Sequence, residues 1–140
     1  MRIDERIKKA ALMHHERCDG SGYPGKLVSS EIDEFAKIVA IADIYDAMTS
    51  ARVYRGPLCP FDVIGVFEVE GYQKFEPRYM IPFLEGIVNS YLNSMVILSD
   101  GRRGTVVMNN KNTLSRPVVQ IGDEFVDLSQ EKSLYIRAII

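Results

Sequence analysis

Histidine is nearly missing from this chain of 140 residues: His14 and His15 are the whole supply. Any site built on imidazole must therefore form around that one pair. Cysteine is equally scarce. Cys18 and Cys59 stand at no spacing that makes a disulfide framework or a metal knuckle, and free thiols fit a reducing, cytoplasmic setting. No apolar run approaches the roughly 18 residues that span a bilayer. The opening Met1-Arg2-Ile3-Asp4-Glu5-Arg6 has no apolar signal core, so export is not expected. An excess of basic charge is also lacking, with 17 Lys and Arg against 19 Asp and Glu. That balance excludes a broad surface for a nucleic-acid polymer, although a local anion pocket remains open. What is present is ordinary globular material, 46% hydrophobic and 26% charged, enough for one domain, or one domain with a small appendage.

The two histidines run directly into a glycine-rich loop: His14-His15-Glu16-Arg17-Cys18-Asp19-Gly20-Ser21-Gly22-Tyr23-Pro24. Before them, residues 3 to 15 read as an amphipathic helix, with Ile3, Ile7, Ala10, Ala11 and His14 on one stripe. The stripe predicts that His14 faces inward, while His15 lies about 100° further round. On a regular helix such neighbours do not easily close on one ion. They reach two adjacent ions, or a single ion if the helix ends there, and the pattern favours a multi-metal site. The plainer alternative is a polar cap at a helix end. In the loop, Gly20, Gly22, Gly25 and Pro24 would hold Tyr23 on a stiff platform, or form a simple surface turn. A zinc site from His14, His15 and Cys18 is a third reading, but it lacks a fourth ligand of suitable spacing.

Residues 34 to 50 predict a second helix, apolar all the way round from Ile38 to Ala42 and hence buried. Asp43 follows at once. A buried carboxylate there would need a cation or hydrogen-bond donors. Asp46 lies one turn on, on the same face or on a solvated edge. Arg52 and Arg55 come next, placed either to pair with Asp46 or to form a fork for phosphate oxygens. Further on, Pro60 to Val69 predicts a helix stopped at Gly71. Another helix should open at Phe75-Glu76-Pro77 and run to about Tyr91, with Pro82 inside it. After Asn93 the texture turns β-rich: Met95–Leu98 and Thr105–Met108 flank a glycine-bearing turn, 117–121 and 124–128 repeat the pattern, and 135–140 predict a last strand. The expected fold is mainly α, a helical body over 1–92 followed by a small antiparallel β appendage over 93–140.

Three strings, His14 to Pro24, Ile41-Ala42-Asp43-Ile44-Tyr45-Asp46-Ala47-Met48-Thr49-Ser50 and Arg52-Val53-Tyr54-Arg55, together resemble the HD-GYP domains. These are bacterial metal-dependent phosphodiesterases of the HD superfamily that hydrolyse cyclic di-GMP. The resemblance implies that His14, His15 and Asp43 are metal ligands in the catalytic centre, with two or three iron or manganese ions in the complete domain. It implies that Gly22 and Tyr23 lie beside the cyclic dinucleotide substrate, and that Arg52 and Arg55 grip its phosphates. Glu16, Asp19 and Asp46 would stand behind the ligands, and hydrolysis would proceed by a metal-bound hydroxide attacking phosphorus.

The resemblance covers only the C-terminal half of such a domain, because the His-Asp pair that names the family and its further histidines have no counterpart here. The chain alone is accordingly expected to show little or no turnover. Helices deprived of the other half should expose apolar surface and favour a homo-oligomer. An alternative of another class is a non-catalytic interaction module that docks signalling partners, such as a diguanylate cyclase domain, through the Gly-Tyr-Pro loop.

Overall fold

The computed structural model describes residues 2–50 and 56–140. Arg52 and Arg55, the candidate phosphate fork, lie outside the described residues. Asp4 opens α1 (Glu5–Met13) by accepting the Arg6 N–H at 2.8 Å, and Asp33 opens α2 (Glu34–Thr49) through the Phe35 N–H at 3.0 Å. Each cap satisfies a donor with no partner inside the helix and contributes about 1 kcal/mol. Helices α3 (Pro60–Lys74) and α4 (Pro77–Ser90) both start on proline, whose missing N–H has no helical partner at that position anyway.

Gly71 does not stop α3, which continues to Lys74. A side chain there would put its Cβ 2.7 Å from the Met80 Sδ, so the glycine lets α3 and α4 pack closely. A packing glycine and a terminating glycine look alike in sequence. Phe61, Ile64 and Phe67 of α3, Met80, Leu84 and Val88 of α4, and Ile41 of α2 form the helical part of the core.

The strands are β1 (Met95–Leu98), β2 (Arg103–Met108), β3 (Val118–Ile121), β4 (Glu124–Asp127) and β5 (Ile136–Ile139). They form one antiparallel sheet in the order β4-β3-β2-β1-β5, with Val96 opposite both Gly104 and Ile139. Val96, Leu98, Val106, Val119, Leu128 and Ile136 point inward and join the same buried cluster as the helices. Helices cover 43% of the described residues and strands 18%, so the expectation of a mainly α protein is corrected to a mixed α and β fold.

Glu68 ties the two parts together: its carboxylate accepts the Leu114 N–H at 2.8 Å and the Ser115 N–H at 3.1 Å. Glu68→Ala should lower unfolding free energy by about 1–3 kcal/mol, because two partly buried donors lose an ionic acceptor. Urea titration and faster amide exchange at Leu114 and Ser115 would check this.

Two sequence expectations are overturned. No residue of α1 is buried, and Ile7 is 61% exposed although it sits on the predicted inward stripe. The helix lies against α2 rather than in the core, so amphipathic spacing marks a face without supplying its cover. Likewise α2 is buried on one side only, through Ala36, Ala40 and Ile41. Phe35, Ile38 and Val39 are exposed, and so is Asp43. An all-apolar stretch implies burial on all sides, whereas α1, α3 and α4 together leave only Ala36, Ala40 and Ile41 of this helix buried.

Candidate metal centre

Because α1 stops at Met13, the geometry of the histidine pair departs from that of a regular helix. His14 is the C-cap, at φ −69° and ψ −12°, and His15 already belongs to the turn that follows. The two rings approach to 4.0 Å between centroids. His14 Nδ1 lies 2.9 Å from the Ala11 carbonyl oxygen and 3.1 Å from that of Ala10. A proton on Nδ1 serves those carbonyls and leaves the Nε2 lone pair outward, the tautomer a metal ligand needs. His15 stacks on Tyr23 at 4.9 Å and 15°.

Across from them, α2 presents Asp43. Ligand atoms of His14, His15 and Asp43 all lie within 4.8 Å of one another. Bonds of about 2.1 Å to one first-row ion hold donors at most about 4.2 Å apart, so adjustments of under about 1 Å would close the trio. Two imidazoles and one carboxylate form a donor set suited to divalent iron and its neighbours. The residues present fit such an ion. Asp43 does not need it for burial, since this carboxylate is exposed.

The loop is held by Glu16, which is only 3% exposed. One of its carboxylate oxygens accepts the Gly25 N–H and the other accepts the Leu27 N–H at 2.8 Å. Gly22 fits beneath: a Cβ there would lie 2.5 Å from Arg17 N and 2.6 Å from Glu16 Cα, inside the preceding turn. That contact lets the Tyr23 N–H reach the His15 carbonyl at 3.2 Å, with the Tyr23–Pro24 bond cis. Tyr23 itself remains 60% exposed beside His15.

Other expected residues stand apart from the trio. Asp19 accepts from the N–H and hydroxyl of Ser21, bonds that hold its carboxyl below the usual range and shape the loop. Asp46 accepts from the Ser50 hydroxyl at 3.4 Å, at the end of its own helix. Cys18 is not in the cluster. It lines a small enclosed space with Ile32, Lys37 and Glu76, and burial pushes its thiol pKa up. The zinc reading through Cys18 is therefore set aside.

Arg17 was not singled out by the sequence. Its Nη1 donates to the carbonyls of His14 (3.2 Å) and Glu16 (2.9 Å), and its guanidinium lies 5.1 Å over the Phe75 ring. Burial lowers its pKa, against the attraction of Asp43. Nothing in the string around Arg17 signals this, because Phe75 arrives from the far end of α3, where the Cys18 N–H bonds the Lys74 carbonyl at 2.8 Å.

Residues 1–77 match the family model described as HD domain. A cyclic di-GMP phosphodiesterase of Pseudomonas aeruginosa is 32% identical over 116 residues, which are 82% of this chain and 28% of that protein. A cyclic di-GMP phosphodiesterase of Thermotoga maritima is 57% identical over 75 residues, 54% of this chain and 20% of that protein. A 3′3′-cGAMP-specific phosphodiesterase of Vibrio cholerae is 47% identical over 57 residues, 41% of this chain and 13% of that protein. The chain thus spans under a third of the length of each of these relatives. With the family model matching more than half of its residues and the Gly-Tyr-Pro loop seated against paired histidines, the chain belongs to the HD domain family, in its HD-GYP group.

Proposed function

We infer that this chain carries part of the centre of a metal-dependent phosphodiesterase that opens a cyclic dinucleotide, with His14, His15 and Asp43 as ligands to divalent iron or manganese. The observation that carries the reading is the convergence of those three donors beside the Gly-Tyr-Pro loop. Bound ions would supply Lewis acidity toward a phosphoryl oxygen and a nucleophilic water at neutral pH. The protein's own part is orientation. The Ala10 and Ala11 carbonyls aim His14 Nε2, and Glu16 and Gly22 hold the loop against His15. Tyr23 offers an exposed ring and hydroxyl next to the ligands. Arg52 and Arg55, shortly after α2 in sequence, would take up phosphate charge, with Asp46 in a supporting role. Three donors fill only some of the roughly four to six positions that each ion takes, so the remaining ligands of a two- or three-ion centre fall to other groups. Turnover by this chain alone should accordingly be low.

The test is manganese binding by calorimetry, with chromatography of cyclic di-GMP products, on the wild type and His15→Ala. The variant should bind manganese at least about tenfold more weakly and lose whatever hydrolysis the wild type shows. Unchanged binding and turnover would contradict the reading.

The exposed strip formed by Ile7, Phe35, Ile38 and Val39 supports the further expectation of self-association. Light scattering at tens of micromolar should return a mass above 15.8 kDa, and a strictly monomeric species would count against it.

A further inference from the structure

A cavity of about 260 Å³ opens between α2 and α3, immediately beside the candidate centre. We propose that it is a guanine subsite, in which Glu70 selects guanine over adenine. The proposal deepens the phosphodiesterase reading and rests on it.

The cavity adjoins the ligands through two elements. Ile44, which follows Asp43 on α2, forms part of the wall, with Met48 one turn on. Arg17 reaches both places: it donates to the His14 carbonyl and also lines the cavity. The volume lies just below the roughly 300–1,000 Å³ of whole-ligand pockets, suitable for one base of a dinucleotide whose phosphates lie outside. Val66, Phe67 and Phe75 complete apolar walls able to cover the faces of a flat ring.

Polar groups share the lining. Glu70 and Lys74 stand one turn apart on α3, with the Arg17 guanidinium stacked over Phe75. The lining thus carries one carboxylate and two cations. Guanine presents acceptors at O6 and N7 and a donor at its 2-amino group, and its N1 carries a second donor. A carboxylate takes both donors at once, while the cations answer O6 and N7. Adenine reverses the arrangement. Its N1 lone pair would face the carboxylate, and its 6-amino group would face the cations. A site built for one hydrogen-bond pattern rejects the other because its charged groups are left unmatched.

The test is a titration of the isotope-labelled chain with 5′-GMP and, separately, with 5′-AMP, followed by amide shifts without added metal. With GMP, shifts should centre on Val66, Glu70, Gly71 and Lys74, at an affinity about tenfold above that for AMP. Glu70→Gln, an exposed and nearly isosteric change, should bring the two affinities within about twofold, because an amide offers both a donor and an acceptor. Equal wild-type affinities, shifts centred elsewhere, absence of binding, or a preference unchanged in Glu70→Gln would each overturn the subsite. Failure of the underlying reading is recognised separately. Manganese bound at His14 without GMP shifts removes the subsite alone. GMP shifts without any manganese binding remove the phosphodiesterase centre and leave a purine pocket.

Discussion

Gly22→Ala is expected to unseat the Gly-Tyr-Pro loop and to lower unfolding free energy by about 3 kcal/mol or more. The added methyl would press on the His15 carbonyl oxygen and sit 2.5 Å from the Arg17 nitrogen and 2.6 Å from the Glu16 Cα, far inside van der Waals contact with atoms that all belong to the backbone. Backbone cannot rotate aside as a side chain does, so the loop must lift. Lifting breaks the Tyr23 N–H bond to His15 and moves Gly25 and Leu27 away from the buried Glu16 carboxylate. An unsatisfied buried carboxylate belongs to the short list of changes that cost this much. Urea unfolding reads the loss, and the Tyr23 ring resonances, no longer stacked on His15, should move toward random-coil positions. A variant with wild-type stability and an unchanged Tyr23 would show that the loop is not seated as described.

Asp43→Ala should reduce affinity for manganese at least about 100-fold, by removing the only carboxylate in the trio. The same substitution should leave the stability of the metal-free chain within about 0.5 kcal/mol, because Asp43 is exposed and no packing is lost. The pairing of the two results is informative. Loss of affinity with intact stability marks a ligand, whereas loss of both would mark a structural residue. Calorimetry with manganese and urea unfolding of the same samples separate the cases.

The elements that the sequence made legible are those encoded locally. Pro60 and Pro77 at helix starts and glycine-bearing turns between β-rich runs all appear where their chemistry requires. The convergence of His14, His15 and Asp43 depends on α1 ending at Met13, a possibility the spacing left open but could not decide. Illegible were features set by distant partners. Gly71 was read as a stop because Met80 could not be seen across from it. Burial around Ile38–Ala42 was overestimated because apolar composition does not say which neighbours are at hand. Arg17 and Glu70 carried no signal at all, since their neighbours come from α2 and α3 only after folding. The place of Glu16 behind the ligands is implied by family resemblance alone, whereas its contacts show that it anchors the loop.

The central claim is that two adjacent imidazoles and one helical carboxylate converge to ligate divalent metal. Substoichiometric manganese added to the isotope-labelled chain tests it directly, since the paramagnetic ion broadens nearby resonances first. The account predicts that signals of His14, His15 and Asp43 vanish together, followed by those of Tyr23 and Arg17, while Asp100 and Asp123 stay sharp. Broadening that begins at those exposed acids and spares the histidine rings would contradict it.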